Sequence, residues 1–209
     1  MIAVDKVTDI VYHLDGISAV IFDLDDTLYL EKDYVKSGYN LIAKAFPEVV
    51  NMSEKLWQVF LRGGKAIDEV LLSEGLLTEE NKQKCLKIYR NQIPNINLDS
   101  AVVNLLSGLK DKGYKLGIIT DGRPEGQRAK IKSLDLERYV DQIIVTDELG
   151  GEIMRKPNEK AFVLICEKLG VNYENAVYVG DNPKKDFIAP EKLGMKWIYF
   201  KNKDGLYSR

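Results

Sequence analysis

The sequence predicts an α/β protein: a three-layer α/β/α, Rossmann-like core on a parallel sheet, with an inserted helical cap. Three observations carry this. Short apolar runs lie at residues 19–22, 116–119, 142–145, 176–179 and 197–200, and none shows the in/out alternation of a half-exposed sheet. Helical patterns fall between the later runs, which argues for βαβ units. After the first run, no second strand-like run appears until residue 116, and the intervening sequence reads as helix.

Each strand run is rich in β-branched or aromatic residues, as in Ala19-Val20-Ile21-Phe22 and Trp197-Ile198-Tyr199-Phe200. Ala101, Leu105, Leu106 and Leu109 recur at helical spacing, and Gly113 follows as a stop. Ala161, Leu164, Ile165 and Leu169 repeat that pattern, closed by Gly170. The insertion reads as helices over roughly 33–46, 53–62, 65–74 and 78–92, with Ser53 and Thr78 as N-caps. Thr78 has Asn81 three residues on, so no capping box forms there. Pro47, Gly63-Gly64, Gly75 and Pro94 mark the breaks. The expected division is therefore a core of 1–28 with 97–209 and a cap of 29–96, hinged near 29–32 and 93–98. The segment before residue 17 carries Val7, Ile10, Val11 and Leu14 at helical spacing and is expected as an extra helix or an edge element. Residues 202–209 read as a loosely held polar tail.

Composition narrows the function classes. The net charge of −2 offers no basic surface for nucleic acid or an anionic membrane, and no apolar run is long enough to span a bilayer. The chain opens without the basic-then-apolar order of a secretory signal, so a cytoplasmic location is expected, with Cys85 and Cys166 as reduced thiols. In that setting the sequon-like Asn51-Met52-Ser53 is chance. His13 is the single histidine, which argues against zinc sites and histidine-based triads.

The chemistry is concentrated at strand ends. In an open parallel sheet, ligands sit beyond the carboxyl ends of the strands. The first core run leads into Asp23-Leu24-Asp25-Asp26-Thr27, and two aspartates two residues apart face one side of an extended chain. Crowded carboxylates repel unless a cation or a shared proton holds them, and a hard divalent ion such as Mg²⁺ meets that demand. Thr120-Asp121-Gly122 ends the second core run, offering a hydroxyl and turn amides. Lys156 stands before Pro157, read as the fixed entry to a helix. Gly180-Asp181-Asn182 ends another run, with Asp186 five residues after Asp181.

Asp23-x-Asp25-x-Thr27, Thr120, Lys156-Pro157 and Gly180-Asp181-x₄-Asp186 together resemble the four ordered motifs of the haloacid dehalogenase (HAD) superfamily. The resemblance covers nearly the whole chain, and the insertion resembles that superfamily's C1-type cap. It implies a Mg²⁺-dependent phosphatase acting on a small phosphorylated metabolite through an aspartyl-phosphate. Asp23 is then the nucleophile and Asp25 the general acid/base. The metal is held by Asp23, the Asp25 carbonyl and Asp181, with Asp186 in support. Thr120, Asp121 and Lys156 bind the phosphoryl group. A true dehalogenase is disfavoured, because its motif lacks the second aspartate present here as Asp25. A phosphomutase uses the same aspartates, and a non-catalytic sensor of a phosphorylated ligand is the alternative from another class.

Outside the motifs, Arg62 and Lys65 flank Gly63-Gly64 and are candidates for substrate specificity, as is Arg123 for a distal anion. Tyr29 and Tyr34 stack on a ring or simply pack. Asp26 reads as a turn or capping residue, and Asp147-Glu148, after the third core run, as a solvated loop in preference to a part of the site.

Overall fold

The structure, a computed structural model, describes residues 2–206. Two compact units emerge, one of Met1–Glu31 with Asn97–Arg209 and the other of Lys32–Ile96. The first is built on a six-stranded sheet: β1 (Ile2–Val4), β2 (Ala19–Phe22), β3 (Lys115–Thr120), β4 (Gln142–Val145), β5 (Ala176–Gly180) and β6 (Lys196–Phe200). Every pairing is parallel, in the order β1-β6-β5-β2-β3-β4. All four residues of β2 and all five of β5 are buried, which is why these runs lack alternation.

The helices of this unit are α5 (Ser100–Asp111), α6 (Pro124–Ser133), α7 (Lys160–Leu169) and α8 (Ile188–Leu193). On one face of the sheet Ala19, Ile21, Ile119, Ile144 and Tyr178 pack with Ala161, Phe162, Ile165 and Leu169 of α7. The alternate residues Val20, Phe22, Ile118 and Val179 are as deeply buried, as expected for a sheet covered on both sides. Phe187 stacks on Trp197 with ring centroids 4.6 Å apart, tying the chain ahead of α8 to β6.

Strand order explains where a site forms. From β2 the chain runs outward through β3 to β4, then returns to place β5 against the other side of β2. The carboxyl end of β2 is therefore the switch point of the sheet, where loops diverge and leave a crevice. Asp23 is the first residue beyond that end, its N–H donating to the Val179 carbonyl at 2.8 Å.

The second unit contains α1 (Glu31–Ala45, entering from the first unit), α2 (Met52–Leu61), α3 (Ala66–Ser73) and α4 (Glu79–Arg90). It has its own apolar core, in which Val35, Tyr39, Ile42, Leu56, Val70, Leu71 and Cys85 pack together. Thr78 caps α4 as expected, accepting from the Asn81 N–H at 3.1 Å. Ser53 does not cap α2. That helix starts at Met52 after Asn51 in a left-handed conformation (φ 56°), and the Ser53 hydroxyl donates to Asn40 Oδ1 at 2.6 Å.

The N-terminus lies as expected, and the tail is held more firmly. The N-terminal segment forms both the edge strand β1 and a 3₁₀ turn at Val7–His13 whose Val7 and Ile10 are buried. The tail docks as far as Leu206: Asn202 Nδ2 donates to the Asp26 carbonyl at 2.6 Å, and the Leu206 N–H to Asp26 Oδ2 at 2.7 Å. The expectation for residues 207–209 lies outside the described residues. Among the described residues no helix is long and apolar enough to cross a membrane.

Candidate active site

Beyond β2 the chain turns sharply. Asp26 takes a left-handed conformation (φ 57°), which aspartate tolerates because its short side chain bonds locally. Asp26 is 1% exposed, and its Oδ1 accepts the Glu31 N–H at 2.9 Å. It thus anchors the start of α1 and the docked tail, while Asp23 and Asp25 line a cavity of about 460 Å³. Asp121, Gly122, Arg123, Lys156 and Asp181 line the same cavity, together with Glu31, Gln127, Arg155, Asn182 and Lys185.

Lys156 organises the floor. Its fully buried ammonium lies 2.5 Å from Asp23 Oδ1 and 2.8 Å from Asp186 Oδ1, and donates to the Tyr178 hydroxyl at 2.8 Å. Burial works against a lysine charge, but Asp186 and Asp23 outweigh it and hold the Lys156 pKa well above the ordinary value. Lys156 does not stand at a helical entry: its bond to Pro157 is cis, and α7 begins only at Lys160.

The carboxylates around it are strained by crowding. Burial, with Asp186 adding to it against the pull of Lys156, pushes Asp23 up to about 7. Burial, then the charges of Asp23 and Asp186, push Asp181 up to about 8. One oxygen each from Asp23, Asp181 and Asp186 lie within 4.8 Å of one another. Oxygen donors whose negative charges are undercompensated form the kind of set a hard divalent cation occupies. Asp186 is completely buried, and its Oδ2 accepts the Asn182 N–H at 2.9 Å. This close approach requires Gly180, since a Cβ there would lie 2.5 Å from Asp186 Oδ2.

Thr120 Oγ1 is buried at the end of β3 without a hydrogen-bond partner, a position that an oxygen-rich ligand would satisfy. The Asp121 carboxylate is already committed. Its Oδ1 accepts from Thr146 Oγ1 and from the Lys156 N–H, each at 3.0 Å, and its Oδ2 from Lys185 Nζ at 2.9 Å. Asp121 therefore ties the Thr120 turn to the Lys156 segment.

Asp25 sits in a separate network. Lys130 Nζ donates to its Oδ1 at 2.7 Å, Gln127 Nε2 to its Oδ2 at 2.9 Å, and the Tyr29 hydroxyl also to Oδ1. Burial alone would raise the Asp25 pKa, but Lys130 and the three hydrogen bonds prevail and hold it below the ordinary value. Glu31, close to this pair, is pushed up to about 7, first by burial and then by Asp25.

The remaining expected residues are dispersed. Arg123 is exposed at the rim of the cavity, immediately before α6. In the second unit Arg62 pairs with Glu69 at 2.5 Å, and the Lys65 N–H donates to Glu69 Oε1 at 2.9 Å, so one carboxylate closes the Gly63-Gly64 turn. Tyr34 packs edge-on against Tyr89. Asp147 is not solvated: Arg155 binds both its carboxylate oxygens, at 2.7 and 2.8 Å. Glu148 likewise pairs with Arg128.

The sequence reading missed Gln127, Lys130, Lys185 and Arg155. Gln127 and Lys130 carry one usable signal, their i, i+3 spacing just after the Thr120 turn, with Pro124 placed to open a helix.

Comparison with known proteins fits this geometry. A family model described as haloacid dehalogenase-like hydrolase matches residues 20–200. The chain is 29% identical over 203 residues to a glyceraldehyde 3-phosphate phosphatase of Methanocaldococcus jannaschii, covering 86% of this chain and 82% of that protein. It is 27% identical to the putative pyrophosphatase PpaX of Clostridium perfringens, again over 86% and 82% of the two chains. Among solved structures, the putative HAD-hydrolase YfnB of Bacillus subtilis, bound to magnesium, shares the fold with a TM-score of 0.64. It is 18% identical, with 88% of this chain and 87% of that one covered. The motifs at the carboxyl edge of the sheet and a family match spanning all four of them agree, and the chain belongs to the haloacid dehalogenase-like hydrolase family.

Proposed function

We propose that the protein is a Mg²⁺-dependent phosphatase that hydrolyses a small phosphomonoester through an aspartyl-phosphate on Asp23. The observation that carries this reading is the buried Lys156 ammonium, 2.5 Å from Asp23 Oδ1 at the floor of a cavity that Asp25 and Asp181 also line. In this reading Asp23 is the nucleophile, Asp25 the proton carrier and Lys156 the cation for phosphoryl oxygens, and their sharing one sheet edge supports it.

In this mechanism an Asp23 oxygen attacks phosphorus while the bond to the leaving oxygen breaks. Asp25, once it has taken up a proton from the incoming monoanionic phosphate ester or from solvent, gives that proton to the leaving oxygen. Asp25 then takes a proton from water as the water oxygen attacks phosphorus, and the Asp23–phosphorus bond breaks to release phosphate. Lys156 and the Thr120 hydroxyl hold phosphoryl oxygens throughout, Lys156 offsetting negative charge where it is greatest. Asp23, the Asp25 carbonyl and Asp181 would hold Mg²⁺, with Asp186 in support. Such an ion neutralises crowded carboxylates and polarises the phosphoryl group.

The relatives named as phosphatases of glyceraldehyde 3-phosphate and pyrophosphate support a small phosphorylated metabolite as the substrate class. Arg123, Arg62 and Lys65 are the residues proposed for substrate specificity. The test is a phosphatase screen over phosphometabolites with Mg²⁺, with a chelator, and with Asp23→Asn. Turnover that depends on the metal and disappears in Asp23→Asn is expected. Metal-independent turnover, or a variant keeping more than a few per cent of activity, refutes the reading. Transfer of the phosphoryl group back to a sugar without release of phosphate would instead indicate a mutase.

A further inference from the structure

We propose that Lys130, with Gln127 one turn before it on α6, is the positioning residue for the proton carrier Asp25. This rests on the assignment of Asp25 given above. Helix α6 buries Gln127, Lys130 and Ile131, so two of its three buried side chains are polar. Burying a lysine to 5% exposure is costly unless a partner compensates, and apolar packing gives no reason for it. The reason is the Asp25 carboxylate that both side chains address, Lys130 donating to Oδ1 and Gln127 to Oδ2. Held at both oxygens, Asp25 cannot rotate about its terminal torsion. Gln127 Nε2 also reaches the Asp121 carbonyl at 2.5 Å, which fixes the network to the turn after Thr120. Gly122 leaves room for it, since a Cβ there would lie 2.9 Å from Gln127 Nε2.

The arrangement distinguishes the two oxygens of Asp25. An ionised carboxylate oxygen has about two lone-pair sites. Oδ1 receives Lys130 and the Tyr29 hydroxyl and is filled, whereas Oδ2 receives Gln127. Oδ2 is therefore the atom that carries the proton to the leaving oxygen and later takes one from water. Lys130 exchanges no proton in either step. It fixes which oxygen faces the substrate, and positioning of this kind is worth as much as a factor of about 100 in rate.

The test compares Lys130→Met, Gln127→Leu, Asp25→Asn and Asp23→Asn on an alkyl phosphate and on p-nitrophenyl phosphate, whose leaving group needs no proton. Single-turnover rates isolate the first step. Lys130→Met is expected to slow it by about 10- to 100-fold on the alkyl ester. The loss on the aryl ester should be at least tenfold smaller, with little change in KM and the same ordering in Asp25→Asn. Gln127→Leu, which leaves the lysine in place, should show the same leaving-group dependence if Lys130→Met does not fold. Equal losses on both esters, a loss confined to KM, or no loss would overturn the inference. If Asp23→Asn stays active, the phosphatase reading itself fails. If Asp23→Asn is dead and Lys130→Met shows no leaving-group dependence, only the role of Lys130 fails.

Discussion

Replacing Lys156 with methionine keeps much of the stem's volume and removes an ammonium that touches both Asp23 and Asp186, at 2.5 and 2.8 Å. Removing one partner from a buried pair costs about 3–5 kcal/mol, because the charge left behind is neither solvated nor paired. The carboxylates limit this loss by taking up protons. Asp23 already stands at about 7 beside the lysine, so without Lys156 it moves higher. A carboxylate whose folded pKa lies above its unfolded one binds protons more tightly when folded, and its destabilising effect grows as pH rises through that window. In the metal-free variant the deficit should thus be largest near pH 8 and shrink toward pH 5, by up to about 1.4 kcal/mol per pH unit for each proton involved. For a chain of this size each kcal/mol corresponds to about 2–4 °C in Tm. Activity should fall separately. Loss of one preorganised donor to the phosphoryl oxygens costs a factor of about 10² to 10³ in kcat. Urea unfolding with a chelator at pH 5 and pH 8, beside steady-state turnover with Mg²⁺ at neutral pH, measures both effects. A kcat within tenfold of the unmodified protein, or an equal stability loss at both pH values, would refute the reasoning.

Other perturbations follow from the same geometry. Asp181→Asn should weaken Mg²⁺ binding by at least tenfold while the protein stays folded, since it removes a donor and relieves repulsion; isothermal titration with an unchanged Mg²⁺ affinity would contradict it. Because Asp23 and Asp181 are raised to about 7 and about 8, protons compete with the metal. Apparent Mg²⁺ affinity should therefore fall by up to about tenfold per displaced proton for each pH unit below 7, and the Mg²⁺-induced rise in Tm should be larger at pH 8 than at pH 6. A Mg²⁺ effect on Tm that is flat over this range would argue against those carboxylates as ligands. Asp26→Ala loses the bonds from Glu31 and Leu206 and places alanine at φ 57°, so a cost of about 2–4 kcal/mol is expected in urea unfolding. A change under about 0.5 kcal/mol would show that the docked tail contributes nothing there.

The central strands β2 and β5 were legible because each is buried on both faces, leaving short, uniformly apolar runs such as Ala19–Phe22. Strand ends place Asp23, Asp181 and Thr120 at one edge from the sequence alone. The site residues of helix α6 escaped for the opposite reason. Two of the three buried side chains of this helix are Gln127 and Lys130, so hydrophobic periodicity has little to detect, and those polar residues are the ones addressed to Asp25. Strand β1 is three residues long and owes its place to pairing with β6, which local sequence does not encode. The Asp147–Arg155 pair and the docking of the tail on Asp26 depend on partners distant along the chain or across a turn. Charged residues at such positions look solvated until the fold supplies the other half.

Hydrolysis by the proposed route passes through a covalent bond between Asp23 and phosphorus. Acid quench of the protein during turnover, borohydride reduction and peptide mass analysis read that bond directly, because reduction of an acyl phosphate converts the aspartate to homoserine. With Mg²⁺ and substrate, conversion is expected at residue 23 alone, and none with a chelator or in Asp23→Asn. Conversion at another carboxylate, or continuing turnover with no conversion at Asp23 under conditions that trap a known aspartyl-phosphate, would contradict it.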